Sequence, residues 1–224
     1  MTIVLGIDEA GRGPVLGPMV VAGVALDKNE EARLKKLGVT DSKLLSPSRR
    51  ESLAKDIKSA AKGIEFISIS PKQLDELMQI MSLNTIELNA MAQIINKLPG
   101  DEIYIDLPSN GPAFMAELRA KIKNKSARVV AEHKADSTYT VVGAASIIAK
   151  TERDATISEI QKKYAKYGDI GSGYPADERT INFLKKYIEE HKILPPEARK
   201  SWATAENLLK KDTKKERQNT LSFG

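Results

Sequence analysis

Two short runs of the chain end alike. Leu5-Gly6-Ile7-Asp8 and Ile103-Tyr104-Ile105-Asp106 are apolar up to a carboxylate. A strand that stays apolar to its last residue belongs in a buried sheet, so each acid stands at the rim of that sheet and not on a free surface. A third acid, Asp136, follows another short β-type run at 128–132, and Glu9 follows Asp8 directly.

Five runs read as strands, at 3–8, 19–26, 64–70, 102–106 and 128–132. The first three come with mostly short links, the third lying between two helical stretches, and no helical crossover separates the first two, which favours an antiparallel pair. The last two are each preceded by a helix of crossover length and are expected to lie parallel beside the first. Helical periodicity runs from Pro71 through Leu98, from about Pro112 to Ile122, from Thr138 to Tyr164, and along everything from Asp177 onward. The fold class is α/β, a five-stranded mixed sheet flanked by helices. Residues 1–176 are expected to form the main domain, 177–211 a small helical C-terminal cap, and 212–224 a flexible tail.

In open α/β sheets, ligands collect beyond the carboxyl ends of strands where the connection direction switches. That rule brings Asp8, Glu9, Asp106 and Asp136 together. Any one of them alone would read as a turn former or helix cap. As a set they repel, by about 4 kcal/mol per pair at 4 Å for an effective dielectric of about 20. Raised pKa values or bound cations must neutralise them, and oxygen ligands select Mg²⁺ or Mn²⁺. Two such ions support phosphodiester hydrolysis.

Other chemistries are excluded residue by residue. There is no cysteine, which removes disulfides, thiolate nucleophiles and cysteine-based zinc sites. His133 and His191 are the only histidines, against a ribonuclease that pairs two histidines as acid and base. The apolar stretches at 15–26 and 141–149 are too short to span a bilayer. Asp8 and Glu9 stand where a signal peptide would be apolar, so a cytoplasmic location is expected. The net charge of +5 biases the chain toward polyanions. That bias sharpens between Lys192 and Arg217, where Arg199 and its basic neighbours read as a solvated helix face.

Gly11-Arg12-Gly13 follows the first strand, where glycines let backbone amides approach phosphate or sugar oxygens. It is no dinucleotide fingerprint, because position 16 is Leu and Pro14 and Pro18 interrupt any helix. A second loop is Gly171-Ser172-Gly173-Tyr174-Pro175. Its tyrosine is either a packing anchor or a platform for a sugar or base. No P-loop sequence is present.

Taken in order, Gly6-Ile7-Asp8-Glu9-Ala10-Gly11-Arg12-Gly13, Asp41-Ser42-Lys43, Tyr104-Ile105-Asp106, Ala131-Glu132-His133-Lys134-Ala135-Asp136, Ala144-Ala145-Ser146-Ile147-Ile148-Ala149-Lys150 and the Gly171–Pro175 loop resemble ribonuclease HII in its archaeal form. The resemblance covers about Ile3 to Leu209. It implies an RNase H-like fold and endonucleolytic cleavage of RNA in RNA–DNA hybrids, including a single ribonucleotide within duplex DNA. The products it implies are 3′-hydroxyl and 5′-phosphate ends. By the same resemblance Asp8, Glu9, Asp106 and Asp136 hold the catalytic metals. Gly11, Arg12 and Gly13 contact the 2′-hydroxyl and adjoining phosphate, Tyr174 stacks on the next deoxyribose, and Lys43, Ser146 and Lys150 are phosphate contacts. A monomer is expected.

The tail departs from the family pattern. Members can end in a sliding-clamp peptide of the form Gln-x-x-aliphatic-x-x-aromatic, whereas here only Ser222 separates Leu221 from Phe223. A solvated terminus is the alternative. Two rival functions share some of these features. A DNA endonuclease on the same fold would use the acids without needing a 2′-hydroxyl, and a non-catalytic nucleic-acid binder would explain the charge but not the acids.

Overall fold

The computed structural model describes residues 1–40, 42, 45–107 and 112–210. The sheet has five strands, β1 (Ile3–Ala10), β2 (Met19–Asp27), β3 (Gly63–Ile69), β4 (Glu102–Asp106) and β5 (Arg128–Glu132), in the order β3-β2-β1-β4-β5. β1 pairs antiparallel with β2, from Ile3 opposite Asp27 to Ala10 opposite Val20. It pairs parallel with β4, and β4 pairs parallel with β5. The mixed sheet expected from the connection lengths is present. The β2–β3 link, however, is not short: it carries α1 (Glu30–Lys36) and α2 (Pro47–Ala60).

Serine hydroxyls start several helices. Ser46 caps α2 by accepting from the Arg49 amide. Ser70 opens α3 (Pro71–Leu77) with a capping box closed by Gln73. The single helix expected from 71 to 98 is in fact two, because Ser82 takes the Thr85 amide and starts α4 (Leu83–Lys97) afresh. Hydrophobic period alone cannot show that break, since a cap interrupts the backbone and leaves the spacing of apolar residues nearly intact. α5 (Pro112–Lys121) joins β4 to β5. After β5 come α6 (Ala135–Thr138) and the long α7 (Thr140–Lys163), separated by the extended Tyr139.

The chain packs as two compact units, one comprising Met1–Ala10, Val20–Ser68 and Met81–Arg153, the other Gly11–Met19, Ile69–Ile80 and the chain from Asp154 on. In the first, Val20, Ala22, Val24 and Leu26 of β2 share a core with Leu53 and Ile57 of α2 and with Val141, Val142, Ala145 and Ile148 of α7. Alternation along β1 puts Val4, Gly6, Asp8 and Ala10 on one face. α7 covers that face so closely that a Cβ on Gly6 would lie 2.2 Å from the Val141 carbonyl oxygen.

The core of the second unit joins Val15 and Leu16 to Tyr164, Tyr167, Phe183, Leu184 and Ile188. α8 (Glu178–His191) is capped by Asp177 and ends at Lys192, whose φ of 61° is left-handed. The chain beyond Asp177 was expected to be wholly helical, but it is not. Residues 193–202 contain no helix, and helix resumes only at 203–210. Pro195 and Pro196 supply no amide hydrogens, and Ala198 bridges to Leu16 instead.

Gly6→Ala tests the contact between β1 and α7. The nearest atoms the added methyl would meet are all backbone of Val141 and Val142, so no side chain can yield, and a loss of at least about 3 kcal/mol is expected in denaturant unfolding.

Candidate active site

Register places the first two acids. Gly6 lies opposite Tyr104 and Ile7 opposite Ile105, so one further residue puts Asp8 abreast of Asp106. The matching Ile-Asp endings of the two strands are therefore neighbours in space. Asp8 and Asp106 share the sheet face of Gly6 and Tyr104, because residues two apart point the same way. Asp136 arrives from α6. The Asp106 carboxylate accepts from the Ala135 amide at 3.0 Å, tying the end of β4 to the first turn of that helix. The turn into α6 passes through Lys134, a non-glycine residue at φ 58°. Its carbonyl accepts from the Ser137 amide and hydroxyl. One carboxylate oxygen from each of Asp8, Asp106 and Asp136 lies within 4.8 Å of the others.

Asp8 and Asp136 are each 3 % exposed. Burial is the largest reason that the Asp8 pKa stands well above the ordinary aspartate value. The charges of Glu9 and Asp106 push it further up, while hydrogen bonds from Ser146 and from the Glu9 amide, the latter at 2.7 Å, pull it back. Glu9, the fourth acid expected here, is not among the three whose oxygens converge, but its charge reaches Asp8 from the next position on the strand. Three crowded carboxylates, two buried and one half-buried, are an oxygen-only donor set that a hard divalent cation fits, because it would cancel the repulsion that raises Asp8.

Ser146, expected to contact phosphate, is 1 % exposed. Its hydroxyl is shared between Asp8 and the buried Ser42 hydroxyl, the latter at 2.7 Å. The half-buried Lys150 ammonium donates to Ser42. An ammonium is only a donor, so the chain runs one way: Lys150 to Ser42, Ser42 to Ser146, Ser146 to Asp8. These residues thus lead by hydrogen bonds to the acid Asp8. His133 is exposed. Lys43 lies outside the described residues.

In the second unit, Gly11 has φ 81°, a conformation other residues rarely adopt. The Tyr174 ring, 43 % exposed, passes 3.7 Å from where a Cβ on Gly13 would sit. The Val15 and Leu16 amides donate to the Gly173 carbonyl at 2.9 and 3.2 Å, so the two glycine loops are joined by their backbones. The residue that sequence reasoning missed is Arg199. Read as part of a solvated face, it is fully buried, with three hydrogen bonds to carbonyls of the loop from Gly11 to Gly17. The adjacent Pro195-Pro196 pair, which argues against a helix there, was the available signal.

The family model for ribonuclease HII matches residues 5–205. A ribonuclease HII from Methanococcus maripaludis is 48% identical over 213 residues, covering 93% of this chain and 87% of the relative. Among solved structures, the ribonuclease H2 from Pyrococcus horikoshii is similar at a TM-score of 0.85 and 37% identity, covering 94% of this chain and 98% of that one. A ribonuclease HII from Archaeoglobus fulgidus, solved in complex with PCNA, is similar at a TM-score of 0.81 and 46% identity, with 92% and 96% covered.

The raised Asp8 pKa has a measurable consequence. A folded-state carboxyl with a raised pKa keeps its proton where the unfolded chain has released it. Stability from this group therefore falls as pH rises from the unfolded value near 4 through the folded value. In chelator, thermal unfolding is expected at a lower temperature at pH 8 than at pH 5. Asp8→Asn should flatten that slope, and Mg²⁺ should restore wild-type stability mainly at the higher pH.

Proposed function

The chain belongs to the ribonuclease HII family and is a type 2 ribonuclease H, a hydrolase acting on RNA–DNA hybrids, and from that premise we propose a divalent-metal-dependent endonuclease that also cuts at a single ribonucleotide embedded in duplex DNA. It leaves 3′-hydroxyl and 5′-phosphate ends. The observation that carries the metal dependence is the convergence of Asp8, Asp106 and Asp136 within 4.8 Å in a buried corner. Mg²⁺ or Mn²⁺ is held by these three together with Glu9. Bound there, the cation supplies the Lewis-acid chemistry of phosphodiester hydrolysis.

The chain's own residues do the rest. Asp8 is kept in orientation by the Glu9 amide and by Ser146, and Asp106 by the Ala135 amide. Gly11, Arg12 and Gly13 offer backbone amides to the 2′-hydroxyl and the adjoining phosphate, the group that separates RNA from DNA. Tyr174 stacks on the following deoxyribose. Against a DNA endonuclease stands the glycine loop, for which an all-DNA substrate offers no 2′-hydroxyl to read. Against a non-cutting binder stand the acids, which repel a phosphate backbone unless cations intervene.

The deciding experiment is cleavage of a duplex carrying one ribonucleotide, with and without Mg²⁺, with the cut mapped. The proposal requires the stated 3′-hydroxyl and 5′-phosphate ends, no product in chelator and no cutting of all-DNA duplex. Asp106→Asn should reduce the rate by at least about a thousandfold while hybrid affinity changes little. An unimpaired variant would remove Asp106 from the metal site.

A second contact is favoured by the Archaeoglobus neighbour and its complex with PCNA. We propose that the tail from Gln218 to Phe223, which lies outside the described residues, engages a sliding clamp despite its shortened spacing. Deleting residues 218–224 should abolish co-elution with the clamp and leave cleavage of short duplexes unchanged. Retained co-elution would place the contact elsewhere.

A further inference from the structure

Arg199 heads the fully buried side chains by volume. Its Nε donates to the Gly17 carbonyl at 2.9 Å, Nη1 to that of Arg12 at 3.0 Å and Nη2 to that of Gly11 at 2.5 Å. The Trp202 ring covers the guanidinium, 4.7 Å from its centre. A fixed fork of donors suits this task, because three carbonyls in different planes must be held at once.

The segment that carries Arg199 is itself pinned. The Gly17 amide donates to the Glu197 carbonyl at 2.9 Å, and the Arg199 amide to that of Val15 at 2.8 Å. On the other side, the Asp75 carboxylate of α3 accepts from the amides of Lys200 and Ser201, both at 2.9 Å, and from the Ser201 hydroxyl at 2.6 Å. The strap from Glu197 to Ser201 therefore holds the glycine loop along its length.

Peptide geometry gives this clamp a function. In a trans peptide the carbonyl of one residue and the amide hydrogen of the next point in opposite directions. Drawing the Gly11 and Arg12 carbonyls toward Arg199 turns the amides of Arg12 and Gly13 the other way. We propose that Arg199 is a positioning residue for ribose recognition: it never meets the substrate, but fixes the direction in which the Gly-Arg-Gly amides are presented. The inference rests on the reading that this loop contacts the 2′-hydroxyl.

The test crosses protein variants with a substrate change. Full-length wild type, Arg199→Lys and Asp75→Asn are assayed on duplexes carrying one ribonucleotide or one 2′-deoxy-2′-fluoro nucleotide, whose fluorine accepts hydrogen bonds poorly. Wild type is expected to prefer the ribose. Arg199→Lys should lose about 30-fold in kcat/KM on the ribose duplex and little on the fluoro duplex, the loss of about two neutral hydrogen bonds from backbone amides to the 2′-hydroxyl. Its Mn²⁺ affinity by calorimetry should be unchanged. Asp75→Asn, which leaves the clamp's own donors in place, should erode the same preference less, and carries the test if Arg199→Lys does not fold. Equal losses on both duplexes, or full preference retained in the folded variants, would overturn the role of Arg199. A wild type without preference would instead overturn the ribose reading beneath it.

Discussion

Three carboxylates within 4.8 Å of one another, two of them buried, repel, and the packing of the first unit is what holds them there. The parallel register of β1 with β4 sets Asp8 beside Asp106. The missing side chain of Gly6 lets the start of α7 press on the same sheet face, which brings Ser146 to Asp8. The Ala135 amide holds Asp106 and sets the helix turn that delivers Asp136. The repulsion is retained by the fold and left for a cation to relieve, which is how stability is exchanged for binding energy at functional sites.

Both units stabilise buried charge with backbone groups. Asp8 and Asp106 receive main-chain amides, and Arg199 donates to main-chain carbonyls. A carboxylate has lone pairs to spare after one amide, so it can still serve as a ligand. A guanidinium that spends three donors inward is committed to structure. The acids therefore keep oxygens open to a ligand, while the arginine's donors are turned onto the loop.

Much of this was legible in the chain. Alternating and unbroken apolar runs give the five strands because side-chain burial in a sheet is a local pattern. Asp106 could be assigned to a strand end for the same reason, with Asp8 near the end of β1 and Asp136 shortly after β5, and six ordered motifs carried the family. The break before Ser82 was not legible, since a cap acts on the backbone and hardly disturbs the apolar period. Nor was the work of Ser146, whose partners Ser42 and Asp8 are both more than a hundred residues away along the chain.

Arg199 marks the boundary most clearly. Charge and composition place an arginine on the surface, because burying one costs several kcal/mol unless its donors are met. Which carbonyls could meet them depends on a loop nearly two hundred residues earlier in the chain. The sequence by itself determined where strands lie, where acids end them and to which family the chain belongs, all properties of local order. Only tertiary structure decided which acids converge, which serine serves one of them and which cation turns inward, because each depends on contacts between segments that the local pattern does not encode.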